Sequence, residues 1–107
     1  MTNPRTPALT AEQRRAALAK ATRVRVARRA FKDEVARGEF GIAATIALAR
    51  ADENLAGIRV VDLLTSLPGI GPKRAEAIMA QAAIAPTRRI RGLGEHQIAA
   101  LVARMAS

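Results

Sequence analysis

Apolar and polar positions along this chain follow a helical period wherever a pattern can be read. Ile98, Leu101, Val102 and Met105 recur at i, i+3, i+4 and i+7, giving the stretch from Gly94 to Met105 one core-facing stripe. Ala17, Val24, Phe31 and Val35 share a second narrow stripe, within a run that holds no helix breaker from Ala11 to Gly38. Thr10-Ala-Glu-Gln13 ahead of that run has the form of a capping box, with Leu9 at the position of a hydrophobic staple. Gly38 suits the C-terminal cap. The spacing therefore predicts one helix of about 40 Å at ~1.5 Å rise per residue. Shorter helices are expected from Gly41 to Arg50, Val60 to Ser66 and Pro72 to Ala83, with an Asp52-capped turn ending at Gly57. No segment alternates as a strand. The fold class is all-α, a long N-terminal helix followed by a small bundle of short helices. Residues 1–9, with Pro4 and Pro7, read as a disordered arm, 10–38 as the long basic helix and 39–107 as the helical core.

Composition narrows the class. A chain of 107 residues fits a single domain, and although 50% of it is apolar, much of that share is alanine. Alanine favours helix and buries little area, so a thin core is expected. The absence of cysteine excludes a disulfide framework, a thiolate metal site and a cysteine nucleophile. No apolar signal core opens the chain and no apolar run is long enough to span a bilayer, which places the expected location in the cytoplasm.

Charge supplies the functional direction. Lys plus Arg is 18 against 9 Asp plus Glu, a formal charge of +9, and a domain this small with that excess suits an extended anionic partner such as nucleic acid. The excess is concentrated in residues 1–37 and 59–107, while the intervening connector is slightly acidic. Two basic segments flanking an acidic one suggest two contact surfaces.

The stretch Leu67-Pro68-Gly69-Ile70-Gly71-Pro72-Lys73-Arg74 carries the sharpest signal. Pro68 stops one helix, and Pro72 opens the next where a missing N–H costs nothing. Gly69 and Gly71 leave the backbone bare, and Ile70 is placed to plug down between the helices. Free amides at a helix N-terminus, with Lys73 and Arg74 beside them, form an anion site. This is the helix-hairpin-helix pattern; the alternative is an ordinary helical hairpin that happens to hold two glycines, which the Leu-Pro-Gly-Ile-Gly run and the basic pair after it make the weaker match. A second turn follows in Pro86-Thr-Arg88-Arg89-Ile-Arg91-Gly92-Leu-Gly94. Arg88, Arg89 and Arg91, with Gly92 behind them, are placed to fork onto phosphates or reach a groove. On the long helix, Arg14, Arg25 and Lys32 form a ridge flanked by Arg28 and Arg29, with only Asp33 and Glu34 to offset nine basic residues from Arg14 to Arg37.

The hairpin, the second turn and the capped basic helix together resemble the actinobacterial integration host factor family across nearly the whole chain. The resemblance implies a helix-two-turn-helix core like that of a ribosomal protein of the small-subunit head. It also implies a nucleoid-associated monomer that binds duplex DNA with little sequence preference, distorts it, and acts in supercoiling and recombination. Residue by residue it points to Gly69, Gly71 and Lys73 in the hairpin and to Arg88, Arg89 and Arg91 in the second turn. The chain departs from the family pattern at Val61, where a small polar cap is expected, and at Arg15, Arg23 and Arg29, which add charge.

Catalysis finds no residues to stand on: His96 is the single histidine and is expected at the surface, and no paired carboxylates, nucleophile set or phosphate-binding loop is present. No metal, cofactor, membrane or small-molecule substrate is expected. With Phe31 and Phe40 the only aromatics, base-stacking platforms for single strands are lacking, which favours double-stranded DNA. An RNA-binding ribosomal or ribosome-associated role, and a scaffold for an acidic protein, are the alternatives. No heptad seam is exposed, which points to a monomer.

Overall fold

A computed structural model describes residues 8–105, so most of the expected N-terminal arm lies outside the described residues. Five helices order the described residues: α1 (Ala11–Ala36), α2 (Ile42–Ala51), α3 (Val60–Ser66), α4 (Pro72–Gln81) and α5 (Glu95–Met105). A 3₁₀ turn at Ile90–Gly92 precedes α5. Among the described residues the sole extended pairing is an isolated antiparallel bridge between Arg59 and Arg89.

The start of α1 follows from its capping residues. The Thr10 amide donates to Gln13 Oε1 at 2.8 Å and the Gln13 amide donates to Thr10 Oγ1 at 3.0 Å. This reciprocal pair satisfies donors that a bare helix end leaves open. Leu9, by contrast, does not staple, and is 52% exposed. Its partner would be the fourth helical residue, which here is Arg14, and that guanidinium donates to the Leu9 carbonyl at 2.8 Å instead. Only the C-terminal half of the helix docks: Phe31 and Val35 are buried, Val24 is half-buried, and residues 11–23 are exposed. The molecule is consequently elongated, with extents of 59 × 27 × 23 Å and a radius of gyration of 16.9 Å. A compact domain of this length would have a radius near ~13 Å. The projecting turns hold because helix propagation from a docked segment avoids the nucleation cost, and alanine and the capping box favour it.

Beneath α1 the core is small. α3 packs against α1 and α4, α2 against α5 and the 3₁₀ turn, and α4 against α5. Ile46, Leu63, Leu64, Ile90 and Leu101 are its largest fully enclosed side chains. Of the stripe expected on the last helix, Leu101 reaches the centre while Ile98, Val102 and Met105 lie half-buried at its margin. The polar cap missing at Val61 is replaced from a distance. α3 begins at Val60, and the Val60 amide donates to the Arg88 carbonyl at 2.9 Å, so the second turn closes this helix end.

The expected run of α4 to Ala83 is two residues too long. The helix stops at Gln81, and Ala83 takes the left-handed conformation at φ 57°. The Ile84 amide donates to Met79 O at 2.9 Å and the Ala83 amide to Ala80 O at 3.2 Å, the bond pair of a Schellman termination. Alanine gives no sequence signal for that conformation, and a Cβ there costs about 1–2 kcal/mol. Ala83→Gly should therefore raise stability by about 1 kcal/mol after the entropy of a more flexible unfolded chain is subtracted. A thermal melt checks this; an increase of roughly 4–8 °C is expected for a domain of this size.

Candidate nucleic-acid interface

The hairpin between α3 and α4 is built as its two glycines require. Gly69 holds φ at 77°, a left-handed turn position that glycine takes without strain, and Gly71 stands as the N-cap of α4 with Pro72 at its first position. Ile70 is half-buried and packs against the core, so its side chain anchors the turn. Its amide donates to Leu67 O at 3.2 Å. Ile70 thus spends its own amide internally and Pro72 has none, so the bare backbone expected at this corner offers fewer donors than its length suggests. The amides of Gly71, Lys73 and Arg74 meet no protein acceptor among the described residues, and no side chain caps the helix. Above Gly69 and Gly71 the space is open, and Lys73 and Arg74 are exposed beside them. Free N–H groups, the positive end of the helix dipole and two cations thus converge on one accessible corner.

In the second turn each arginine takes a different position. Arg88 is exposed and its Nη1 donates to the Gly92 carbonyl at 3.0 Å, so Gly92 acts as its rest. Arg89 is half-buried, and its Nη1 donates to the Gly57 carbonyl. Arg91 is exposed, with its amide donating to Ala56 O at 2.8 Å and its Nη2 lying 3.8 Å from where a Gly57 side chain would begin. Arg28 of α1 arrives at the same place. Its Nε donates to the Asn54 carbonyl at 2.8 Å, and its guanidinium lies against the bare Cα of Gly57.

The expected ridge on α1 divides along its length. Arg25, Arg28, Arg29 and Lys32 line a groove of about 580 Å³ whose other wall is Thr65 and Ser66 at the end of α3. Arg14 lies about 16 Å further along the helix axis, on the exposed half. Asp33 is the one carboxylate on the groove. Among the described residues the single ion pair joins Arg37 to Glu39 at 3.1 Å, so none of the cations of hairpin, second turn or groove is neutralised by a carboxylate.

Arg28 belongs both to the groove and to the cluster at Gly57, which makes one basic tract of two segments that are remote in sequence. The charge pattern suggested separate surfaces because it could not show this folding-back. Asn54, Gly57, Thr65 and Ser66 are the participants that residue-by-residue reasoning missed. Asn54 and Gly57 serve through main-chain carbonyls and a missing side chain, features that carry no charge signal. Thr65 and Ser66 stand next to the hairpin in sequence, and that adjacency was the available hint. His96 is exposed as expected. Among the described residues no cluster of metal-ligating side chains forms, and no helix is long and apolar enough to cross a membrane.

Comparison with known proteins gives a consistent picture. The model of the S13-like H2TH domain matches residues 35–105, from the buried end of α1 to the end of α5. The integration host factor of Mycobacterium tuberculosis is 45% identical over 101 residues, covering 94% of this chain and 96% of that protein. The integration host factor of Streptomyces coelicolor is 40% identical over 95 residues, covering 89% of each. The structure of sIHF bound to an 8 bp palindromic DNA superposes with a TM-score of 0.77 at 33% identity, covering 81% of this chain and 98% of that one.

Proposed function

The chain belongs to the actinobacterial integration host factor family, and we propose that it is a non-enzymatic, nucleoid-associated architectural protein that binds double-stranded DNA. The observation that carries this reading is the open hairpin corner, where unpaired amides of Gly71, Lys73 and Arg74 adjoin two exposed cations. Such a corner accepts a backbone phosphate through main-chain amides and positive charge, which supports binding largely independent of sequence. The DNA-bound state of the related sIHF structure supports the same partner. Phe31 and Phe40 support duplex over single strands, because the two rings stack on each other with centroids 6.0 Å apart.

In this mechanism the hairpin grips one phosphate strand. Arg88 and Arg91 engage the adjacent backbone or groove edge, and Arg89 mainly secures the turn through Gly57. The groove of Arg25, Arg28, Arg29 and Lys32 extends the contact. The projecting half of α1 reaches a more distant part of the same duplex or a second one, which bends or bridges DNA. Acting as a monomer on the cytoplasmic nucleoid, the protein would thereby support recombination and the control of supercoiling.

Gel-shift titrations on duplexes of unrelated sequence test the reading. Similar affinities are expected throughout, with a log–log salt slope near about −7 if roughly eight phosphates are contacted. A flat salt response, or preference for duplex RNA or ribosomal subunits in competition, would falsify it.

A further inference from the structure

Resting on the duplex-binding reading above, we propose that Arg28 and Arg91 form a joint seat for a single backbone phosphate, and that Gly57 is the positioning residue that makes the seat possible. Three elements meet there. α1 supplies Arg28, the second turn supplies Arg91, and the connector between α2 and α3 supplies the floor at Gly57. Arg28 is held by its Nε on the Asn54 carbonyl at 2.8 Å, and its terminal nitrogens have no hydrogen-bond acceptor among the described residues. Arg91 is steered from its main chain, through the Ala56 carbonyl at 2.8 Å. Arg89 braces the floor from the side, through the Gly57 carbonyl.

Charge gives the seat its ligand. Two guanidiniums approach one bare Cα with no carboxylate in an ion pair with either among the described residues. Like charges brought together repel unless an anion joins them, and a phosphate diester accepts a planar fork from each side. The seat also explains the glycine. Gly57 is buried and its φ is not in the left-handed region, so no turn geometry demands it. What a side chain there would meet is the guanidinium of Arg28. The collision falls on the free end of a flexible side chain, so Gly57→Ala is compatible with the fold but not with Arg28 in its present place. A phosphate clasped here would also tie α1 to the second turn, so that binding at the second turn fixes the direction in which the projecting helix points.

The test is a double-mutant cycle on Arg28→Ala and Arg91→Ala, measured by fluorescence anisotropy on a short labelled duplex, together with G57A. Each single alanine variant is expected to weaken binding about tenfold and to make the salt slope shallower by about 0.9. The double variant should be scarcely weaker than either single one, because both remove the same phosphate. G57A should melt at or above the native temperature, bind as weakly as R28A, and lose nothing more when R28A is added. Losses at the two arginines that multiply independently would overturn the joint seat, and native affinity in G57A would remove Gly57 from it. Those outcomes leave duplex binding intact, whereas a native chain indifferent to duplex DNA removes the wider reading and this inference with it.

Discussion

Replacing Lys73 and Arg74 by glutamate (K73E/R74E) is expected to weaken duplex binding by about two orders of magnitude without weakening the fold. Both side chains are exposed on the first turn of α4, outside the core. The exchange removes two cations and sets two carboxylates where the phosphate is to lie, and like charges facing each other across an interface cost several kcal/mol. Stability should move the other way. Acidic residues in a first helical turn complement the dipole by roughly 0.3–1 kcal/mol each, and α4 has none there at present. Anisotropy titrations and thermal melts on one sample separate the two effects. The salt slope should flatten by about 2, one counterion term of ~0.9 for each lost cation. Unchanged affinity would show that the phosphate does not sit at this corner.

How much of this arrangement could be read from the chain alone depends on whether the cause is local. Pro68, Gly69, Gly71 and Pro72 act on their own backbone, so the hairpin and the limits of α3 were legible, and so was the capping box at Thr10. The end of α4 was not, because Ala83 adopts its conformation under the pull of two carbonyl bonds and not from any preference of its own. Gln97 shows the same thing from the other side. It accepts the Gly94 amide at 2.9 Å and donates to the Ala83 carbonyl at 2.9 Å, tying the start of α5 to the turn after α4 across fourteen residues. The candidate site divides likewise. Its cations were visible as residue types, but their grouping depends on main-chain oxygens of Asn54 and Gly57, which every residue carries and no composition reveals. The acidic character of the connector pointed to separation, whereas its carbonyls join the two basic segments.

That joining alters what a second contact surface must be. Arg25, Arg28, Arg29 and Lys32 share a groove with α3, and through Arg28 they join the second turn as one tract. What remains apart is the exposed stretch of α1, with Arg14, Arg15, Lys20 and Arg23. At about 100° per residue these four side chains are distributed around the whole circumference of the helix. A ridge would suit one flat contact; a rod charged on every side suits a position between two duplexes.

Arg14, Arg15, Lys20 and Arg23 replaced together by alanine should therefore abolish the joining of two duplexes while leaving attachment to a single short one within about threefold. The helix itself should survive, since alanine is the strongest helix former and Thr10 and Gln13 still cap it. Phe31 and Val35, which dock α1, are untouched, so the groove keeps its shape. A duplex that occupies only the tract meets none of the four altered positions, and its affinity and salt slope should stay near native. A second duplex depends on the rod, where Glu12 would be the only charge left among residues 11–23. Capture of a labelled duplex by an immobilised one, through the protein, measures the difference directly. Retained capture would place bridging on the tract itself or on protein–protein contact, and the projecting helix would lose its assigned role.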